Sequence, residues 1–406
     1  MKALIVGGGV AGPAVALALH RVGIAPVVLE AWPRGDGEKG SYLTLAPNGL
    51  HALDVLGLRE VVEPLGFPTD GHHIVGSTGR PLGSLSLGVP LDDGRVGLTL
   101  KRSRLALALA DEAASRGIDV RHDTRVVEVV GTDDAVQARL ADGSTLAADL
   151  LVGADGVHSV VRRAIDPDAA AARYVGLTNF GGITPGAAAS PLAAGLPERA
   201  WHFVFGARCF FGAHRTPAGD VVWFVNEPRP PITAEERAAT TPDRWREHLA
   251  GLLDADAGPA AALVRAGRLE LWADNTHDLR HVAAWRRGRV VLVGDAVHAP
   301  SPSSGQGASM ALEDAVVLAT SLRDHADPGD ALAAYEQARR RRVERIVAAG
   351  ARSSSAKVPG RVGRGLRDAA LRVVFRYLAT ERAGAWMTGY RVPWEPAGTP
   401  PLASRP

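Results

Sequence analysis

The sequence is poor in cysteine, in net charge and in long apolar runs. Its one cysteine, Cys209, allows neither an intrachain disulfide nor a metal site built from several cysteines. The formal charge of +2 favours no polyanionic partner, so nucleic acid is not expected as a ligand. No apolar run reaches the length of a membrane span, and no targeting peptide is visible. These absences predict a cytoplasmic protein with no membrane partner.

The chain begins with a strand–helix–strand pattern. A short apolar strand at Ala3 to Val6 is followed by a helix rich in alanine, valine and leucine that runs to about Val22. Pro26 to Glu30 then has the composition of a second buried strand. Two such strands joined by a helix form the parallel unit from which doubly wound α/β sheets are built.

The turn between the first strand and its helix carries the motif Gly7-x-Gly9-x-x-Gly12. Glycines at these places let the backbone approach a pyrophosphate, whose charge meets the helix N-terminus. The predicted contact segment is therefore Gly7, Gly9, Val10, Ala11 and Gly12. Glu30, which ends the second strand, is placed to hold ribose hydroxyls and would repel a 2′-phosphate. The resident dinucleotide is thus predicted to be NAD or FAD.

Two later segments favour FAD. Asp155-Gly156 and Gly294-Asp295 each follow a buried strand, so each carboxylate should emerge at the carboxyl end of the sheet, where such folds bind ligands. A flavin has a ribityl chain to be held, which suits Asp295. The loop from Pro300 to Gly307 leads into a helix, whose free N–H groups suit the ring edge that becomes negative on reduction.

These motifs together resemble a known family. The segments Gly7-Gly-Gly-Val-Ala-Gly12, Gly153-Ala-Asp-Gly-Val-His-Ser-Val-Val-Arg162 and Gly294-Asp-Ala-Val-His298 resemble the three signatures of the class A flavin monooxygenases, the para-hydroxybenzoate hydroxylase type. The run Glu313-Asp-Ala315 supports the third. The signatures occur in order and span most of the chain.

The resemblance implies FAD contacts at further positions. Arg102 resembles the arginine of the diphosphate and ribityl region, Val126 a residue whose backbone meets the adenine, and Asp155 the acid associated with both FAD and nicotinamide. The expected loop beside the flavin ring comprises Pro300, Gly305, Gln306, Gly307 and Ala308. The chain departs from the family pattern at Ala31, where a basic residue is common, and at Ser309, where asparagine is frequent.

The resemblance also implies the fold. We predict an α/β protein in which a Rossmann-like FAD-binding domain is interleaved with a β-rich substrate domain and followed by C-terminal helices. The predicted boundaries are residues 1–66, 98–172 and 275–360 for the FAD-binding domain, 67–97 and 173–274 for the substrate domain, and 361–406 for the C-terminal segment.

The activity implied by the resemblance is hydroxylation of an aromatic or polyketide-like small molecule by a flavin C4a-hydroperoxide. FAD would be the bound cofactor, NADH or NADPH a transient one, and molecular oxygen the co-substrate, in a monomer or homodimer. Because the flavin carries the chemistry, no catalytic side chain and no metal site is assigned. A flavin-bound reductase and a non-catalytic flavoprotein accessory remain as alternatives.

Weaker signals concern the substrate and the surface. Arg208, Phe211 and Trp223 fall on aromatic strands expected to cover the flavin, with ordinary sheet packing as the alternative. His202, His214 and His298 are possible substrate bases, although a lone histidine is more often structural. The run Arg339 to Arg342 lies among glutamates, which predicts a solvated helix face with ion pairs. The helix at Leu366 to Leu378 is expected to buttress the two domains.

Overall fold

The computed structural model describes residues 1–35, 37, 40–131, 135–186, 191–354, 361–377 and 381–394. The strands are β1 (Lys2–Val6), β2 (Ala25–Leu29), β3 (Tyr42–Leu45), β4 (Gly66–Pro68), β5 (Gly71–Gly76), β6 (Pro81–Ser86), β7 (Leu98–Lys101), β8 (Asp119–Arg121), β9 (Val126–Gly131), β10 (Val136–Leu140), β11 (Thr145–Ala148), β12 (Leu150–Gly153), β13 (Arg173–Thr184), β14 (Ala200–Phe205), β15 (Phe210–Arg215), β16 (Val221–Pro228), β17 (Arg268–Asp278), β18 (Arg286–Arg287) and β19 (Val290–Leu292). The helices are α1 (Ala11–Arg21), α2 (Pro47–Leu56), α3 (Arg59–Val62), α4 (Arg102–Ser115), α5 (Val160–Ile165), α6 (Pro191–Ala194), α7 (Ala234–Ala239), α8 (Pro242–Leu253), α9 (Ala260–Ala266), α10 (Gly307–Asp324), α11 (Pro328–Ser354), α12 (Arg361–Tyr377) and α13 (Glu381–Thr388).

A six-stranded sheet contains the first glycine motif. Its strand order is β18-β19-β12-β1-β2-β8, and all neighbours pair in parallel except β18 with β19. The apolar side chains of β1 are buried because helices, including α1 and α5, pack against the sheet. The parallel arrangement brings the carboxyl ends of β2, β1, β12 and β19 to the same edge.

A seven-stranded sheet is formed by the segments between these strands, in the order β17-β13-β16-β15-β14-β5-β6. Neighbours are antiparallel except β14 and β5, which pair in parallel. One face packs against α8 and α9, where Trp245 and Leu249 join the core.

A three-stranded sheet, β3-β7-β4, lies against the other face of the seven-stranded sheet. Its residues Tyr42 and Phe67 pack with Trp201 and Val222 of the larger sheet. The carboxyl end of β3 leads directly into α2, so this small sheet connects the seven-stranded sheet with the helices around the parallel sheet. No helix in the described part of the chain is long and apolar enough to span a membrane.

Candidate cofactor and substrate site

The turn after β1 is closely packed on one side and open on the other. Gly7 has φ +111°, and a Cβ atom there would lie 2.4 Å from the carbonyl oxygen of Ala154. A Cβ on Gly12 would lie 1.9 Å from the carbonyl oxygen of Gly7, whereas one on Gly9 would meet no atom within 4 Å. No side chain caps the N-terminus of α1. Its N–H groups therefore face open space that suits a phosphate.

Glu30 lies directly after β2 and beside this turn. Its carboxylate accepts hydrogen bonds from the backbone N–H groups of Gly8 and, at 2.9 Å, of Trp32. The N–H of Thr124 donates to the carbonyl oxygen of Glu30 at 2.8 Å. The segment that leads into Val126, a buried residue, therefore runs alongside Glu30, as an adenosine-binding edge requires.

Asp155 follows β12 and packs against Gly7. One carboxylate oxygen accepts hydrogen bonds from the N–H groups of Val160 at 2.7 Å and Val161 at 3.2 Å. The other oxygen is buried and has no hydrogen-bond partner within the described residues. Burial raises the pKa of this carboxyl group. Asp155 thus holds the start of α5 and presents one unsatisfied oxygen in the interior.

Asp295 lies in the short 3₁₀ turn, Gly294–Ala296, that follows β19. The turn is held from two sides, because Gly294 N–H donates to Asp314 at 2.9 Å and the Arg162 guanidinium donates to the Ala296 carbonyl at 2.8 Å. The Asp295 carboxylate is 3.7 Å from the place that a Cβ on Gly307 would occupy. It accepts no side-chain or backbone hydrogen bond from the residues that the structure describes, which suits a ligand for hydroxyl groups.

The loop before α10 is held by a buried side chain from another element. Asn48, at the start of α2, donates to the Gln306 side chain at 3.0 Å and to Glu313 at 2.6 Å. Gly305 has φ +62°, and no side chain caps the N-terminus of α10, where Gly307 and Ala308 begin the helix. Backbone N–H groups at such a terminus stabilise negative charge. Pro300 is half-buried at the other end of the loop.

The glycine turn and three of the predicted acids thus lie at one edge of the parallel sheet. The glycine turn, Glu30, Asp155 and Asp295 follow adjacent strands, and Arg162 joins the second motif to the third. Arg102 is exposed at the first residue of α4. Arg102 lies close enough to Asp274 of β17 to act on it: desolvation raises the pKa of Asp274, and the positive charge of Arg102 opposes that rise. The glycine cradle and the free Asp295 carboxylate fit a dinucleotide that carries a polyhydroxyl chain.

Comparison with known proteins agrees with this geometry. The family described as "FAD binding domain" matches residues 1–350. The chain belongs to this family. It is 32% identical to 3-hydroxybenzoate 6-hydroxylase 1 of Aquipseudomonas alcaligenes, over 84% of this chain and 86% of that protein. It is 33% identical to 2-heptyl-3-hydroxy-4(1H)-quinolone synthase of Pseudomonas aeruginosa, over 85% and 87% of the two chains.

A protein of known structure has the same architecture. Klebsiella pneumoniae HpxO, in complex with FAD and uric acid, superposes with a TM-score of 0.81 at 27% identity, over 96% of both chains. The family and the fold class predicted from the three motifs are therefore confirmed. The individual FAD contacts stay predictions.

The substrate residues proposed from the sequence lie elsewhere than expected. Phe211 and Trp223 point to the face of the seven-stranded sheet that α8 and α9 cover, and both are buried in that core. Arg208 is exposed in the turn between β14 and β15. Because the side chains of Phe211 and Trp223 are enclosed by the core, the prediction that they contact substrate is corrected.

The opposite face of the sheet carries a continuous set of rings, here called the aromatic wall: His72, Trp201, Phe203, Phe205, Phe210 and Phe224. The Phe203 ring centroid lies 4.7 Å from His72, 5.2 Å from Phe210 and 5.9 Å from Phe224. Trp201 donates to Thr44 of β3 at 2.9 Å, and β3 leads to Asn48. The wall and the loop expected beside the flavin ring thus adjoin the same short segment.

A chain of buried hydroxyl groups links the wall to the small sheet. Thr44 and Thr99 are 2.7 Å apart, Thr99 and Thr69 are 2.7 Å apart, and Thr69 lies 3.1 Å from His214 Nε2. Since Trp201 donates to Thr44, each hydroxyl can donate to the next, and Nε2 accepts. His214 Nδ1 can then donate to the Arg215 carbonyl, 2.7 Å away. This arrangement requires a neutral His214.

Replacing His214 with glutamine should remove part of the acid sensitivity of folding. Burial lowers the pKa of His214 to about 4, so the unfolded chain binds the proton first and stability falls as pH drops below about 6.5. Between pH 7.5 and 5.0 the loss from this group is about 2 kcal/mol. Urea unfolding at pH 7.5 and pH 5.0 measures this. Between these two values the free energy of unfolding should fall by about 2 kcal/mol less in His214→Gln than in the unchanged protein. An unchanged difference would mean that His214 titrates normally.

A buried cluster of charged side chains is connected, through Glu313 and Asn48, to the loop before α10. Arg339 donates to Asp314 at 2.7 Å and also pairs with Glu313, and none of these three side chains is exposed. His298 bonds the other oxygen of Asp314. Although burial alone would raise the pKa of Asp314, His298 and Arg339 hold it at about 2. The prediction of a solvated face for the arginine run was therefore wrong at Arg339, and His298 is structural in this arrangement.

Proposed function

We propose that the protein is an FAD-dependent monooxygenase that hydroxylates a small aromatic molecule, with NADH or NADPH as the reductant and molecular oxygen as the oxidant. The observation that carries the proposal is the convergence of the glycine turn, Glu30 and Asp295 on one sheet edge, close to an aromatic wall. The relatives in the FAD-binding family whose names give an activity include hydroxylases of aromatic and quinolone compounds, which favours this activity over the reductase and accessory alternatives.

Different residues of the site would hold different parts of FAD. The α1 N-terminus would bind the pyrophosphate, Glu30 the adenosine ribose, and Asp295 the ribityl hydroxyls. The N–H groups of Gly307 and Ala308 would stabilise negative charge at the ring edge. FAD, when bound, supplies the oxygen-transfer chemistry, and the chain positions the substrate and keeps water away from it.

The test is a screen of phenolic and polyketide compounds on the purified yellow protein. A substrate should stimulate NADH or NADPH consumption, and with ¹⁸O₂ the product should gain one ¹⁸O atom by mass spectrometry. Stimulation without incorporation would indicate an effector or an oxidase. A yellow protein that consumes neither nicotinamide in the presence of any aromatic compound would contradict the proposal and favour the accessory role.

A further inference from the structure

The aromatic wall carries no charged side chain on the four strands that form it. Alternation along β5, β14, β15 and β16, fixed by their pairing, places one set of residues on the wall side. That set is His72, Ile74, Gly76, Trp201, Phe203, Phe205, Phe210, Gly212, His214, Val222, Phe224 and Asn226. Its polar members are two imidazoles and one amide, so the wall offers a ligand rings and neutral hydrogen-bonding groups.

Of the cations at the margins of the wall, two are already neutralised by ion pairs and a third lies outside the wall. Lys101 of β7 forms a buried ion pair with Glu270 at 3.0 Å. Arg367 of α12, which lies over the Phe205 ring, pairs with Asp368 at 2.7 Å. Arg208 is exposed in the turn beyond Phe205. An anionic ligand against the centre of the wall would therefore be desolvated without gaining an ion pair, which is strongly unfavourable.

The imidazoles do not supply the missing positive charge. Burial lowers the pKa of both His72 and His214 to about 4. His214 is in addition held neutral by the hydroxyl chain that ends at its Nε2. Both rings are therefore uncharged at neutral pH, and both nitrogens of His214 already have hydrogen-bond partners within the protein.

The wall is shaped for planar rings. Gly212 lies between Phe203 and Phe224, and a Cβ there would be 2.4 Å from Phe224 Cε1. The absence of a side chain lets these two rings lie over strand β15. Both rings are half-buried, so part of each is open to a ligand. Offset and edge-to-face contacts with such rings favour flat aromatic molecules.

We propose, building on the proposed function, that the substrate is an uncharged planar aromatic molecule that packs on Phe203 and Phe224, and that aromatic carboxylates are rejected. An uncharged substrate is favoured because the wall offers a carboxylate no ion-pairing partner. FAD binding does not depend on the charge of the substrate.

Binding of matched neutral and anionic compounds to the FAD-loaded protein tests the proposal. The pairs are 3-hydroxybenzamide with 3-hydroxybenzoate, and 4(1H)-quinolone with its 2-carboxylate, measured by calorimetry at pH 7.5. The neutral member of each pair should bind roughly tenfold more tightly or better, which is about 1.4 kcal/mol. Equal or tighter binding of the carboxylates would overturn the proposal. So would the failure of every neutral compound to bind.

Variants on the two faces of the sheet provide the control. Phe203→Leu should weaken binding of the neutral compounds about fivefold or more and leave FAD content unchanged. Phe211→Leu makes the same phenylalanine-to-leucine change on the face that α8 and α9 cover. It should lower thermal stability without changing the affinity for the neutral compounds. If a carboxylate binds tightly and loses affinity in Arg208→Gln, Arg208 is an anion anchor and the proposal fails. Failure of the proposed function would instead appear as a protein without flavin, or as a yellow protein in which no aromatic compound stimulates nicotinamide consumption.

Discussion

Replacing Gly9 with alanine should remove FAD binding from a protein that still folds. A Cβ at this position meets no protein atom within 4 Å, and the residue is exposed, so the free energy of unfolding of the apoprotein should change by less than about 1 kcal/mol. The same Cβ would occupy the space over the α1 N-terminus in which the pyrophosphate is expected. We expect the affinity for FAD to fall about ten- to hundredfold or more.

Gly12 and Asp295 supply the comparison. In Gly12→Ala the Cβ would lie 1.9 Å from the Gly7 carbonyl, so both folding and FAD binding should suffer, with a stability loss of about 3 kcal/mol or more. Asp295→Ala removes a ligand without adding volume, and it should lose FAD and keep stability. Flavin fluorescence titration and urea unfolding of the three apoproteins separate these effects. Normal FAD affinity in both Gly9→Ala and Asp295→Ala would place the dinucleotide elsewhere.

Arg339→Met should be among the most destabilising single changes in the described part of the chain. It leaves Glu313 and Asp314 buried with one partner fewer, and removal of one member of a buried ion pair costs about 3–5 kcal/mol. Urea unfolding at pH 7.5 measures the loss directly. Because Asn48 connects Glu313 to Gln306, the variant should also bind FAD less tightly.

Arg341→Met is the matched control for Arg339→Met. Arg341 belongs to the same run of four arginines and is exposed, so its replacement should change the free energy of unfolding by less than about 0.5 kcal/mol. Equal stability losses in the two variants would show that the ion cluster contributes little beyond what any arginine of this helix does.

The family and the convergence of its motifs could be predicted because the signals of these motifs are local. Glycines in a strand–helix turn and acids directly after buried strands are constrained by the backbone itself. In a parallel sheet, strand order then brings Gly7, Glu30 and Asp295 to one edge without further information. The confirmed family and fold class depend on these same short segments.

The substrate half could not be predicted in the same way. In the run from Phe210 to Ala213 every residue is apolar, so alternation alone does not say which side chains face the helices and which face the small sheet. Only the register with β14 and β16 places Phe210 on the wall and Phe211 in the core. Arg339 was misjudged for a related reason: a charged run looks solvent-exposed unless its buried partners, here Glu313 and Asp314, are known to be adjacent.

The late position of β19 in the chain has a consequence for biosynthesis. This strand pairs with β12, yet the ribosome must first make β13 to β17, five strands of the seven-stranded sheet that separate the two in sequence. The nascent chain therefore exposes one open side of β12, and it cannot complete a flavin cradle until Asp295 and α10 have emerged. Because Asp295 and the N-terminus of α10 are proposed to hold the flavin, we expect FAD to be captured only after both have emerged, and chains interrupted before that point not to retain it.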